Sequence, residues 1–437
     1  MNTVLTPAAL EATKDLARLV LQRECERNQH PPDGAAQALA DLRQQLDAVP
    51  SEALLAAIRR HRLECLLHGD PLVAGLLPEL ASTLQALARQ EAMAALALAS
   101  LTREVARLFE QAGIPMMVFK GIPLALQTTG SLTARGRGDL DVLVDPRRLP
   151  EAVVLLESAG FVRCPGQFPR QLNSGWGRYS RWAGYEFSLI RKVSVGIQCV
   201  DLHWALSNVR GPLPSFGQAW QCSERLDLNG QWVASLSLVH AFRHACAHAA
   251  KDQWMCLRNV IDIDRLSHRL SGHDLTKLQN QPTVRWSCAV AHAATRNQLL
   301  RLRTKGQCSG TRKAILRANH TQVTPWRCQG LGSWTPRHWA TIVWWQLLLS
   351  RNGLDWLRVL LYFSLLPAAF SNQETGEDCG LAGFLQSRLT RLMQRLGERS
   401  ASNPEDTASE QEEDSRQQAR VTRLSSTSPV RSRRAQR

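Results

Sequence analysis

The segment Arg135-Gly136-Arg137-Gly138-Asp139-Leu140-Asp141-Val142-Leu143-Val144 constrains this chain most, because it sets two carboxylates into a run that otherwise reads as a buried strand. Val142, Leu143 and Val144 are apolar, with Gly138 before them and Asp145-Pro146 after, the pattern of a strand that ends in a turn. Successive strand side chains alternate faces, so Asp139 and Asp141 share a face about 6.6 Å apart. Two ionised carboxylates that close repel each other and lose hydration on burial, and a shared divalent cation would offset both. A solvated edge strand with aspartates on its wet side carries the same Asp-x-Asp pattern, so the neighbouring segments must decide.

Upstream, Met116-Met117-Val118-Phe119 reads as a short strand broken at Lys120-Gly121, and Leu124-Ala125-Leu126-Gln127 is helix-compatible. At such a strand-to-helix break, backbone amides beside a residue without a Cβ can approach phosphate oxygens, and Lys120 adds a point charge. Lys-Gly is also a common surface turn. Downstream, the stretch from Val193 to Trp204 alternates apolar and polar residues and carries Asp201 near its end. A third carboxylate next to an Asp-x-Asp pair makes an oxygen-rich site suited to Mg2+, which leaves coordination positions for water and substrate phosphates. Phosphoryl or nucleotidyl transfer uses such a site, with two metals bridging the carboxylates.

At these residues the chain resembles a bacterial group of largely uncharacterised nucleotidyltransferases in the DNA polymerase beta-like superfamily. The likeness rests on Phe119-Lys120-Gly121, Arg135-x-x-Gly138-Asp139-x-Asp141-x-Leu143-Val144 and Val200-Asp201-Leu202-His203-Trp204. It extends from about Leu54 to His61, through Ala112-Gly113-Ile114-Pro115, to His248-x-x-Lys251-x-x-Trp254-x-x-Leu257-Arg258-x-x-x-Asp262, and on to about Leu366-Pro367. The resemblance implies that Asp139, Asp141 and Asp201 are metal ligands and that Gly121, with Lys120, contacts nucleotide phosphates. It implies phosphate neutralisation by Arg135, with Arg137 a second candidate, and a place for His248, Lys251 and Asp262 in an acceptor or nucleotide pocket. Two departures stand out: the wider superfamily has Gly-Ser where this chain has Lys120-Gly121, and the third carboxylate, often Glu in this group, is the shorter Asp201.

The 437 residues, 44% hydrophobic and 21% charged, are enough for two or three domains of ordinary globular composition. Glu11, Lys14, Asp15 and Arg18 interrupt the first 23 residues, which therefore do not read as a signal peptide. Eleven cysteines without a Cys-x-x-Cys pair point to reduced thiols in a cytoplasmic protein rather than to zinc or disulfides. A net charge of +15 admits a nucleic-acid partner, but the excess is dispersed arginine and partly sits in the last residues, so nucleic acid is not favoured.

Periodicity predicts an α+β protein: a small mixed β-sheet nucleotidyltransferase core flanked by N-terminal and C-terminal helical regions. Residues 1–110 read as helical, with apolar positions at three- and four-residue spacing from Ala92 to Phe109. Residues 111–230 alternate strand and helix signals, including a helix from Leu149 to Ser158 delimited by Pro150 and Gly160. Residues 231–398 return to helix from about Val233, and 399–437 read as a disordered tail. In the C-terminal region His240, His244 and His248 recur every fourth residue, a spacing that could bind metal but that fits core or substrate-facing histidines better. Trp339 to Phe370 is apolar but interrupted by Gln346, Arg351, Asn352 and Asp355, so buried helices are expected there, with a membrane-surface face as the lesser reading.

These readings converge on transfer of a nucleoside monophosphate from an NTP, ATP among the candidates, to an acceptor, with release of pyrophosphate. The metal would be Mg2+ or Mn2+; the acceptor would be a sugar phosphate, natural product, peptide or protein. Asp139 and Asp141 would hold the nucleotide-side metal, and Asp201 would join them at the catalytic metal and orient or deprotonate the acceptor. The alternative is a catalytically inactive binding module of the same fold, associated with RNA or a biosynthetic assembly.

Overall fold

The computed structural model describes residues 5–25, 35–164, 172–194, 196–301, 309–323, 336–350 and 352–369. All of them belong to one compact unit, Met1–Gln373; the unit Glu374–Arg437, with the tail expected to be disordered, lies outside the described residues.

The N-terminal region is helical, with α1 (Pro7–Cys25), α2 (Ala35–Asp47), α3 (Ser51–His61), α4 (Glu64–His68), α5 (Pro71–Leu76) and the long α6 (Pro78–Gln111). A mixed α/β segment follows: β1 (Met116–Phe119), α7 (Gly121–Thr129), β2 (Leu140–Val144), α8 (Leu149–Ser158), β3 (Val162–Arg163), α9 (Gly175–Ala183), β4 (Glu186–Val193) and β5 (Gly196–His203). Then come α10 (Phe216–Gln221), β6 (Glu224–Leu228) and β7 (Gln231–Ser235). The chain continues through α11 (Leu238–Lys251), α12 (Leu257–Ser267), α13 (Gly272–Leu278), α14 (Pro282–Thr295), α15 (Ser309–Val323), α16 (Pro336–Leu349) and α17 (Gly353–Ala369).

The seven strands form one mixed sheet in the order β3-β4-β5-β2-β1-β7-β6. β2 runs antiparallel to β1 and parallel to β5, while β7 joins β1 in parallel and brings β6 with it. The α+β expectation holds, and α8 has the expected bounds. Two details differ. β2 begins at Leu140, leaving Asp139 in the approach to the strand, and the helical return starts at Leu238 because Gln231–Ser235 pairs as a strand.

Alternation gives the sheet two unlike faces. Val118, Leu140, Val142, Val144, Phe187, Leu189, Val200 and Leu202 form one apolar layer against α6 and α8. On the other face Met117, Phe119 and Leu143 pack with Leu206, Phe216, Leu236 and Ala241, and beyond them the same face turns polar at Asp141, Asp201 and His203. The helices before and after the sheet are not separate bodies: one apolar core runs from Leu10, Leu16 and Ile58 to Trp254, Ile261 and Val290.

His61 ties those two helical regions together. Its Nδ1 accepts the backbone N–H of Leu257 at 3.3 Å, and the ring is fully buried. Burial, followed by the charges of Arg60 and Lys14, pushes its pKa down to about 3. The unfolded chain therefore binds a proton here between about pH 6.5 and 3 that the folded chain refuses, so this contribution to stability is complete above pH 6.5 and is lost as pH falls. His61→Gln is expected to flatten the decline of urea-unfolding free energy between pH 7 and 4; an unchanged slope would exclude His61 as its source.

The last two described helices present apolar side chains outward. Trp344, Leu348, Leu354, Trp356, Leu357 and Leu360 are exposed, whereas Gln346, Asp355 and Arg358 are buried. The buried groups hold the helices to the domain: Asn208 donates to Gln346, the Gly211 N–H donates to Asp355 at 2.8 Å, and Arg358 donates to the Trp182 carbonyl at 3.1 Å. The expectation of buried helices is therefore met on one side only. Among the described residues no helix is long and apolar enough to cross a membrane.

Candidate active site

The site lies where β1 ends and β2 begins. Register pairs Phe119 with Asp141 across the antiparallel β1–β2 ladder and Asp141 with Asp201 across the parallel β2–β5 ladder. Paired residues on neighbouring strands face the same way, so Asp141 and Asp201 stand side by side. In β4, Glu186 pairs with His203 and Ser188 with Asp201, which brings Glu186 to the same face.

Sterics close the turn above them. Lys120 has φ 59° and Gly121 has φ 29°, backbone that favours glycine. A Cβ on Gly121 would meet the Asp139 carbonyl oxygen at 2.6 Å, and one on Gly138 would meet the Gly121 Cα at 2.9 Å. The Lys-Gly break and the Gly-Asp-x-Asp element thus interlock through their two glycines, and this contact sets Lys120 over the β2 carboxylate.

Asp141 is the hub. Its Oδ1 accepts from Lys120 Nζ at 2.6 Å and lies 3.0 Å from His203 Nε2. The same His203 nitrogen is 3.0 Å from a Glu186 carboxylate oxygen, so Nε2 carries the proton and donates toward both acids. His203 is fully buried, and its Nδ1 has no hydrogen-bond partner among the described residues. Burial alone would raise Asp141, but the Lys120 ammonium and the His203 hydrogen bond outweigh it and hold this carboxyl well below the usual range. Asp201 moves the other way: burial raises it against a 2.6 Å hydrogen bond from Ser188, and the Asp141 and Glu186 charges add to the rise. Two adjacent carboxylates with opposite shifts are what a site short of positive charge produces.

An outer wall stands beside Glu186. Lys251 Nζ lies 3.3 Å from the Tyr185 hydroxyl and 5.2 Å from the centre of its ring, and Tyr362 of α17 packs against Tyr185 with ring centres 6.0 Å apart. Burial, then the Glu186 charge, raises the Tyr185 hydroxyl well above its ordinary value. Of the three regularly spaced histidines, His244 is buried with its ring edge-on to Phe119 at 5.0 Å, His248 pairs with Asp252 at 2.9 Å, and His240 has its pKa lowered by burial and then by the Arg243 charge.

The structure thus brings Lys120, Asp141 and Asp201 together. Asp139 is exposed, two residues before Asp141, and its charge reaches Cys199 beside Asp201. Gly121 shapes the turn. Arg135 is buried beside Gly138 and makes two 2.7 Å hydrogen bonds to Asp262 of α12, in a bidentate pair, while its charge also acts on Asp141. Arg137 is exposed, its backbone N–H bonded to Glu91 and its carbonyl to Arg258. Asp262 thus pairs with Arg135 rather than with Arg258 one turn away. Glu186 and His203 were not singled out from the sequence. Alternation from Asp201 does place His203 on the shared face, but nothing local tells that Glu186 lies opposite it.

One oxygen of Asp141, one of Glu186 and a ring nitrogen of His203 lie within 4.8 Å of one another, the spacing of a metal-ligand set. With Asp201 in register alongside, the donors are mostly carboxylate, which suits Mg2+ or Mn2+. A cavity of about 1160 Å³ lies away from these groups, between α1, α2 and the end of α14.

Residues 47–298, more than half of the chain, match the family described as uncharacterised nucleotidyltransferase, and the chain belongs to that family. A crystal structure of an antigenic nucleotidyltransferase-like protein from Paracoccidioides brasiliensis aligns at 16% identity and a TM-score of 0.33, over 49% of this chain and 95% of that one. No curated protein matches the chain.

Proposed function

We propose that this protein transfers a nucleoside monophosphate from an NTP to an acceptor hydroxyl or phosphate. The observation that carries this is the pairing of Asp141 with Asp201 on parallel neighbours, beneath a glycine-locked turn at a helix N-terminus. In the reaction the acceptor oxygen bonds to the α-phosphorus, the bond to the β-phosphate oxygen breaks, and pyrophosphate leaves.

Asp141 and Asp201, with Asp139 at the strand entrance, would hold Mg2+ or Mn2+. Bound there, the metal supplies positive charge to the phosphates and lowers the pKa of the acceptor hydroxyl. His203 and Glu186 fix the orientation of Asp141, as partners behind a metal ligand do. The α7 N-terminus at Gly121 offers backbone N–H groups to phosphate oxygens, and Lys120 adds its charge. Asp201, whose carboxyl is raised by burial, would accept the acceptor proton. Tyr185, Lys251 and Tyr362 form the wall on which an acceptor would rest. The carboxylate cluster around Asp141 supports the catalytic reading over an RNA-binding module.

The test is incubation of the full chain with each of the four α-labelled NTPs, Mg2+ or Mn2+, and a lysate of the source cells. Transfer of label that stops on addition of EDTA is expected; absence of transfer from every NTP with both metals would sink the proposal.

A further inference from the structure

We propose that Lys120 is an ammonium lock on the metal site: it holds Asp141 until a nucleotide arrives, so that the divalent ion enters with the triphosphate, which takes Lys120 in exchange. This rests on the reading of Asp141 as a metal ligand and adds an order of binding to it.

Lys120 Nζ sits where a cation would sit. It donates to Asp141 Oδ1 at 2.6 Å, and the charges of Glu186, Asp201 and Asp252 act on it as well. The Asp141 oxygen it holds also faces His203, so a metal ion approaching that oxygen meets two donors already in place. An ammonium and a divalent ion cannot share one carboxylate oxygen at contact distance without strong repulsion, so one displaces the other. Asp141 itself is nearly inaccessible, at 3% exposure, whereas the Lys120 side chain retains 22%, and the lysine is therefore the partner with room to leave.

The route out is set by the backbone. The Gly121–Gly138 contact holds Lys120 at φ 59°, so its Cα is fixed and only the four-carbon stem can swing. Lys120 is the residue that caps α7, and the phosphates gathered by that helix end lie within the sweep of its stem. A hydroxyl in this turn, as in a Gly-Ser pair, could contact phosphate but could not neutralise Asp141; a lysine does both in turn.

The experiment measures binding of Mn2+ alone, without nucleotide, from the EPR signal of the free ion. Wild type, Lys120→Met, Lys120→Gln, Asp141→Asn and Lys120→Met/Asp141→Asn are compared, with thermal melts to show which Lys120 variant remains folded; either one suffices. Removal of the ammonium is expected to tighten Mn2+ binding about ten-fold or more, and the gain is expected to vanish in the double variant. Equal affinity in wild type and a folded Lys120 variant would overturn the lock. If that shared affinity still fell in Asp141→Asn, the metal-site reading would stand without it; if no variant bound Mn2+ through Asp141, both would go.

Discussion

Asp141→Asn is expected to lower metal-dependent transfer from an α-labelled NTP by about 10^3-fold or more while the protein remains folded. Asparagine has nearly the same shape and keeps an oxygen to accept from Lys120, so the β1–β2–β5 ladders need not move. What it removes is the negative charge on a carboxylate that touches Lys120, shares His203 with Glu186 and faces Asp201. The neighbouring acids cannot replace it, since Asp201 is bound by Ser188 and Glu186 leans toward His203 and Tyr185. Folded Asp141→Asn protein with wild-type turnover would remove Asp141 from the chemistry.

Arg135→Met is expected to destabilise the fold by about 3–5 kcal/mol, measured by urea unfolding, because it takes the bidentate partner from Asp262, at 2% exposure, and leaves it the unbonded charge of Arg258. Asp262→Leu should cost a similar amount from the other side. The double variant, apolar on both sides, is expected to recover most of the loss, since two desolvated charges are then replaced together. A guanidinium reserved for phosphate behaves differently: stability would stay near wild type, NTP affinity would fall, and the second substitution would rescue nothing. The comparison thus separates the role expected for Arg135 from the one its geometry supports.

What the sequence made legible here was local. Asp139 and Asp141 next to Val-Leu-Val, the Lys-Gly break and the Pro150 to Gly160 helix each carry their signal within about ten residues, and the elements they predict are present. The long-range pairings were not legible. Arg135 meets Asp262 127 positions later, and Glu186 meets His203 through an antiparallel register whose partner no neighbouring residue announces. β6 and β7 escaped notice although Asn229-Gly230 between them is a local hairpin signal, whereas the parallel pairing of β7 with β1 at Val118 and Ser235 has no local sign. At α16 and α17 the apolar pattern signalled helices but not their inward side, since Trp345, Leu349 and Val359 turn inward together with the polar Gln346, Asp355 and Arg358 while other apolar residues stay exposed.

Tyr362 packs against Tyr185, the neighbour of Glu186, and Tyr179 donates to the Leu361 carbonyl at 2.9 Å, so the helix from Gly353 lies against the strand that carries the second acid. The family match stops at residue 298, more than fifty positions earlier. A fragment trimmed to the shared segment would keep Asp139, Asp141, Glu186 and Asp201 and still open the flank of the candidate site to water, so comparisons among relatives should include whatever each uses as this closing helix.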